Sequence, residues 1–240
     1  MTTDMLTLDN VSVEARLRDA TLTLPRGALV GLIGPNGAGK STLLQAAAGL
    51  LPNASGEVAW AGVRVNEIAM MERARRVAWV PQEARFEFGF SVRAVVQQGR
   101  YAHGDDDAGV DAMLARFDLS GLAARPVNQL SGGERQRVLL ARACVTQAPL
   151  QLWDEPLASL DPRHALEVLR LAAELKSDGS TVVASLHDLR VAHCFDLIVV
   201  LAGGRVDAVG KPAAVLTPNR LRAVFGVTMR TGNGILLELP

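Results

Sequence analysis

From about residue 5 onward the chain alternates apolar and polar positions, the period of a strand with one buried face. At Leu29-Val30-Gly31-Leu32-Ile33 the alternation gives way to an unbroken apolar run, which predicts a strand buried on both faces. A glycine-rich turn follows. Residues 43–51 then have helical character, stopped by Pro52 and the Asn53-Ala54-Ser55-Gly56 cluster. Further strands are predicted at Val77–Val80, ended by Pro81, at Leu150–Trp153, over residues 181–186 and over residues 197–201. Segments of helical potential separate the later strands, residues 163–175 being the clearest.

Between residues 83 and 124 the texture changes, with aromatic, charged and helical pieces around the polar tract Gly104-Asp105-Asp106-Asp107. This reads as a helical insertion, and the acidic triplet as solvated surface. Strands alternating with helices on either side imply a mostly parallel sheet covered on both faces.

Composition narrows the possibilities. The 240 residues, 49% of them apolar, suffice for one large α/β domain. Basic and acidic side chains balance at 25 each, so no long-range field draws nucleic acid or an anionic membrane. No apolar stretch approaches the roughly 18–20 residues of a membrane span. The N-terminus lacks the basic-then-apolar order of a signal peptide. Cys144 and Cys194 both fall in apolar-patterned segments and are expected to be buried, reduced thiols of a cytosolic protein. Lysine is confined to Lys40, Lys176 and Lys211, so a lysine in a special loop is informative.

That lysine is Lys40. Gly34-Pro35-Asn36-Gly37-Ala38-Gly39-Lys40-Ser41 fits the phosphate-loop pattern G-x-x-x-x-G-K-[ST] between a strand and a helix. Its glycines let backbone N–H groups converge on phosphate oxygens, and the helix points its positive end at the same anion. Lys40 is expected to reach the β- and γ-phosphates and the Ser41 hydroxyl to ligate Mg²⁺, with Thr42 completing the nucleotide-binding turn. The strand ending Trp153-Asp154-Glu155 supplies two acids: Asp154 is assigned to Mg²⁺ and Glu155 to the base that polarises attacking water. Gln151 is polar within that strand, and periodicity gives no reason for it.

Leu130-Ser131-Gly132-Gly133-Glu134-Arg135-Gln136 adds a second anion-reading helix start. It matches the signature LSGGE-x-Q, and with the phosphate loop it makes the whole chain resemble ABC transporter ATPases. Gln82, Ser159-Leu160-Asp161 and His187 fall in that family's order as Q-loop, D-loop and switch histidine. The resemblance implies an α/β P-loop NTPase of RecA-like kind: a parallel-sheet core with an antiparallel β portion and an inserted α-helical subdomain. The core would comprise residues 1–82 and 146–240, and the helical subdomain residues 83–145. It further implies that Gln82 approaches Mg²⁺ and water, that His187 holds the γ-phosphate and orients Glu155, and that Asp161 belongs to the nucleotide site. Ser131, Gly132 and Gly133 would contact ATP held by a second copy in a head-to-tail dimer. His103, His164 and His193 are read as ordinary loop or helix residues.

No Phe, Tyr or Trp precedes Trp60, so the aromatic adenine platform common in the family is absent. Val11, Val13 or a stacked Arg16 is the expected substitute. Residues 89–101, the tail Val215-Leu216-Thr217-Pro218 with Leu221 and Phe225-Gly226, a last strand over 235–239 and the segment 8–28 resemble importers for iron–siderophore, haem and cobalamin. The partners so implied are transmembrane permease subunits and, indirectly, an extracytoplasmic substrate-binding protein. The place implied is peripheral, at the cytoplasmic face of the membrane, and no nucleic acid is expected. Phe86, Phe88 and Phe90 either fill the helical core or line a groove for the permease. The alternatives are an exporter subunit and a soluble ABC ATPase without a membrane partner.

Overall fold

β1 (Asp4–Val13) and β2 (Leu17–Pro25) form an antiparallel hairpin whose turn residue Ala15 lies at φ 58. The computed structural model describes residues 4–83, 86–104, 107–232 and 234–238, so Arg85, Asp105, Asp106 and Leu239 of the expectations above lie outside it. The chain continues through β3 (Leu29–Ile33), α1 (Lys40–Ala47), β4 (Ser55–Trp60), β5 (Val63–Arg64), α2 (Met70–Arg76) and β6 (Val77–Val80). Then come α3 (Val92–Gln97), α4 (Val110–Arg116) and α5 (Gly132–Cys144), with no strand between β6 and β7 (Leu150–Trp153) among the described residues. The remainder is α6 (Pro162–Ser177), β8 (Thr181–Ser185), β9 (Leu197–Ala202), β10 (Arg205–Gly210), α7 (Pro212–Val215), α8 (Pro218–Phe225), β11 (Thr228–Gly232) and β12 (Gly234–Glu238).

Six strands form one sheet in the order β10-β9-β3-β8-β7-β6, parallel except at β10. Successive residues of its strands enter two different cores. Leu29, Val182, Ala184, Ile198 and Val200 pack toward α5 and α6. Val30, Leu32, Leu152, Val183 and Val199 pack toward α1 and the second sheet, β2-β1-β4-β5. Both faces are therefore covered, which is why these strands read as continuous apolar runs. Gln151 is fully buried in this sheet: its amide Nε2 donates to the Ala148 carbonyl at 3.1 Å, and its Oε1 accepts from Trp153 Nε1 at 3.2 Å. The polar residue thus satisfies the indole of its i+2 neighbour on the same strand face.

Three expectations change. The helix expected to start near Lys40 and to run on to residue 51 is α1, which starts at Lys40 as expected but ends at Ala47, because Gly49, at φ 68, turns the chain before Pro52. Val11 is fully buried in the core that lies between α1 and the two sheets and cannot meet a base. Cys144 is buried as expected, but Cys194 is exposed. The segment Leu189–Cys194 is a 3₁₀ helix, whose three-residue period turns Leu189, Ala192 and Phe195 inward and leaves Cys194 outside. No helix of the described residues is long and apolar enough to cross a membrane.

Candidate functional site

Four neighbouring parallel strands deliver their C-terminal ends to one place: β3 leads into residues 34–39, β6 into Gln82, β7 into Asp154 and Glu155, and β8 into His187. Open α/β sheets bind ligands at such strand ends. Gly39 lies at φ 99, and a Cβ there would stand 2.7 Å from the Arg16 carbonyl oxygen; only glycine allows this turn against the β1–β2 connection. α1 begins directly at Lys40, so its first N–H groups face the loop.

Asn36, Gly37, Ala38, Gly39, Lys40, Ser41 and Thr42 line a cleft of about 450 Å³ together with Ala15, Arg16, Gln82, Glu155 and His187. Gly34 and Pro35 stand behind it, their carbonyls accepting from Lys40 Nζ at 2.8 and 3.3 Å. Burial pushes the Lys40 ammonium below its ordinary value, and the nearby Glu155 and Asp154 carboxylates act in the opposite sense. Of the three candidates for the base contact, Arg16 is the one in the cleft; Val13 packs at the margin of the core.

Glu155 is held from both sides. Gln82 Nε2 donates to Oε2 at 2.7 Å, and His187 Nε2 meets Oε1 at 2.5 Å. The Glu155 side chain is one-tenth exposed and that of His187 half exposed, so the carboxylate is positioned while the imidazole stays reachable. Glu155 itself sits at φ 50, a left-handed conformation costing about 1 kcal/mol for a residue with a Cβ. Its amide donates to Ser185 Oγ at 2.7 Å, and Ser185 passes its own proton to Asp154 Oδ1 at 2.7 Å. Asp154 is buried and its amide donates to the Val80 carbonyl, tying β7 to β6. Ser185 was not among the sequence candidates. Its only signal is a hydroxyl at the end of an otherwise nearly apolar buried strand.

The signature residues lie elsewhere. Ser131 caps α5 in a reciprocal box: its Oγ accepts the Glu134 amide at 3.3 Å and Glu134 Oε2 accepts the Ser131 amide at 2.7 Å. Ser131, Gly132, Gly133, Ser159, Leu160 and Asp161 line a second cleft of about 520 Å³ that shares no residue with the first. A Cβ on Gly133 would stand 2.9 Å from the Ser159 carbonyl oxygen, so the two turns are closely apposed. Asp161 caps α6, accepting the His164 amide at 3.0 Å and meeting His164 Nδ1 at 2.7 Å. These bonds hold its carboxyl below the usual range. One chain thus joins the phosphate loop with Gln82, Glu155 and His187, but does not bring the signature turn to them.

Residues 17–158 match the model of the family described as ABC transporter. The chain is 46% identical over 97% of its length to the cobalamin import ATP-binding protein BtuD of Halobacterium salinarum, and spans 61% of that relative. It is 44% identical, again over 97% of its length, to the hemin import ATP-binding protein HmuV of Streptomyces coelicolor, of which it covers 84%. Among solved structures, an ATP-binding subunit of an ABC transporter superposes with a TM-score of 0.79 at 28% identity, covering 92% of this chain and 93% of that one. A dimeric ATP-binding cassette in a post-hydrolysis state with ADP and Pi gives 0.77 at 28% identity, covering 87% and 99%.

Proposed function

The chain belongs to the ABC transporter family and has its α/β ATPase fold, and from that premise we propose that it powers a membrane importer by hydrolysing ATP. The observation that carries this reading is the Gln82–Glu155–His187 clamp facing the phosphate loop. Glu155 is the base: held at both oxygens, it takes the proton of a water aimed at the γ-phosphate. His187 leans on Glu155 and offers its exposed edge to that phosphate, while Lys40 and the loop amides neutralise the charge. The hydroxyl of Ser41, the carboxylate of Asp154 and the amide oxygen of Gln82 are a hard oxygen set, suited to Mg²⁺. That ion would supply charge neutralisation between the β- and γ-phosphates.

The separation of the two clefts argues for a head-to-tail pair, with Ser131, Gly132 and Gly133 of one copy closing on the nucleotide of the other. Asp161 acts there through the D-loop turn, beside the signature. Residues 1–82 and 146–240 form the nucleotide-binding core and residues 83–145 the helical subdomain. Arg16, which lines the cleft, would stack on adenine. Phe88 and Phe90 stand exposed with their rings 6.2 Å apart, and this edge-to-face pair is the landing point for a permease. The names of the relatives favour import over export and cobalamin or haem as cargo. The resemblance of residues 89–101 and of the tail extends the reading to iron–siderophore cargo and to delivery by an extracytoplasmic binding protein. The subunit then sits peripherally on the cytoplasmic face of the membrane.

The test is Glu155→Gln, followed by light scattering with and without ATP and Mg²⁺. The variant binds ATP, loses turnover by at least about 100-fold and shifts from monomer to dimer. Turnover at the wild-type rate would remove Glu155 from the base role.

A further inference from the structure

Outside the phosphate-loop cleft, Asp118, His164 and Glu167 bring one imidazole nitrogen and two carboxylate oxygens within 4.8 Å of one another. We propose that these three side chains bind a divalent transition-metal ion of the zinc class, joining the loop after α4 to α6.

The imidazole is set up for it. His164 Nδ1 lies 2.7 Å from Asp161 Oδ2, and a carboxylate there accepts, so the proton sits on Nδ1. The lone pair of Nε2 then faces Asp118, whose Oδ2 is 4.0 Å away. A carboxylate behind the imidazole, fixing its tautomer and ring plane, is the usual support of a ligating histidine, and it comes from outside the three-residue set. Glu167 follows His164 by three residues on α6 and lies on the same helix face. Bonds of about 2.0 Å in tetrahedral geometry put ligand atoms about 3.3 Å apart, so rotations of the exposed Asp118 and half-buried Glu167 side chains suffice to close the set. A cavity of about 400 Å³ walled by His164 and Glu167 gives an entry path and room for water as a fourth ligand.

A cation already spans the carboxylates. Arg163 Nε meets Glu167 Oε1 at 2.9 Å, and its guanidinium reaches Asp118 Oδ2 at 3.5 Å. Its side chain is 73% exposed, and pairs of that kind are held by only about 0.2–1 kcal/mol, so a coordinating ion displaces it. The surroundings select the kind of ion. Arg116, Arg137 and Arg170 also border the cavity, Arg116 paired with Glu174 and Arg137 donating to the Phe117 carbonyl. A site ringed by arginine disfavours Ca²⁺ and Mg²⁺, held by charge alone, and leaves an ion that bonds to imidazole.

The position gives the ion a consequence. Asp118 follows α4, whereas His164 and Glu167 belong to α6, and Asp161 behind the histidine adjoins Ser159 and the signature turn. A bound ion clamps the helical segment against α6 and slows turnover; this part rests on the ATPase reading above, whereas binding itself does not.

The experiment is calorimetric titration of the tag-free chain with Zn²⁺, with Co²⁺ absorption as the spectroscopic probe. Asp118→Asn is the informative variant, because position 118 lies at φ 53, where asparagine is at ease. It should weaken Zn²⁺ at least about tenfold, as should Glu167→Gln, whereas Arg163→Gln should tighten it by up to about fivefold. Zn²⁺ should also slow ATP hydrolysis by the wild-type chain and not by Asp118→Asn. Wild-type protein that takes up no Zn²⁺, or an affinity indifferent to Asp118→Asn and Glu167→Gln, overturns the site. Zn²⁺ binding that depends on these residues in a chain without ATPase activity keeps the site and rejects the ATPase reading instead.

Discussion

Ser185 donates its hydroxyl proton to Oδ1 of Asp154 over 2.7 Å, from the end of one parallel strand to the end of its neighbour. The Oγ of Ser185 in turn accepts the amide of Glu155, so one buried hydroxyl sets the acid assigned to the metal and the backbone of the acid assigned to the water.

Ser185→Ala removes both bonds and leaves two buried polar groups unmatched, which costs about 1–3 kcal/mol of stability. Glu155 then loses the bond that supports its left-handed backbone. The expected result is a fall in kcat of about 10- to 100-fold with little change in nucleotide affinity, read by steady-state hydrolysis and equilibrium binding. An unchanged kcat would show that Glu155 holds its place without the serine.

Glu134 gives a pH-dependent handle on the signature helix. The Ser131 amide, and after it the Ser131 hydroxyl, hold its carboxyl below the ordinary 4.5. A carboxyl lowered by folding contributes stability that is complete above its unfolded value and is lost as pH falls through the lowered one. Glu134→Ala should therefore cost about 0.5–1 kcal/mol at pH 7 and progressively less as the medium is acidified below 4.5. Denaturant unfolding at both pH values checks this. An equal cost at both would assign the effect to something other than the ionised cap.

The two thiols should separate cleanly. Burial pushes Cys144 up to about 12, so it stays a protonated, inaccessible thiol at neutral pH, while Cys194 lies at the surface. A chromogenic thiol reagent should titrate one cysteine in the native chain, none in Cys194→Ser, and the second only on unfolding. Two fast thiols in the native protein would contradict the burial of Cys144.

How far the sequence disclosed the molecule follows from how each feature is encoded. β3, β6, β7, β8 and β9 were legible because a strand covered on both faces is apolar at most of its positions. The phosphate loop was legible because glycine and lysine at fixed spacing have few other uses. The β1–β2 turn was not, since Ala15 reaches φ 58 without the glycine or asparagine that announces such a turn. Cys194 misled for a related reason: a three-residue period over a single short segment resembles general apolarity. Ser185 carried too little signal, because one hydroxyl at a strand end gains its meaning only from the neighbouring strand. Gln151 became intelligible only once its indole partner was seen on the same face.

Leu29 pairs with Val182 and Val30 with Leu197, so the strand feeding the phosphate loop finds both its neighbours in the last quarter of the chain. A ribosome delivers the loop early and its supports late. Through most of synthesis the glycine-rich turn trails an apolar ribbon with open edges, and distant parallel pairing is slow because the long intervening loop must close first. The capacity to hold a nucleotide therefore arrives in a single late event. A nascent chain stopped before Thr181 would carry the whole phosphate-binding motif without either of the strands that pair with β3.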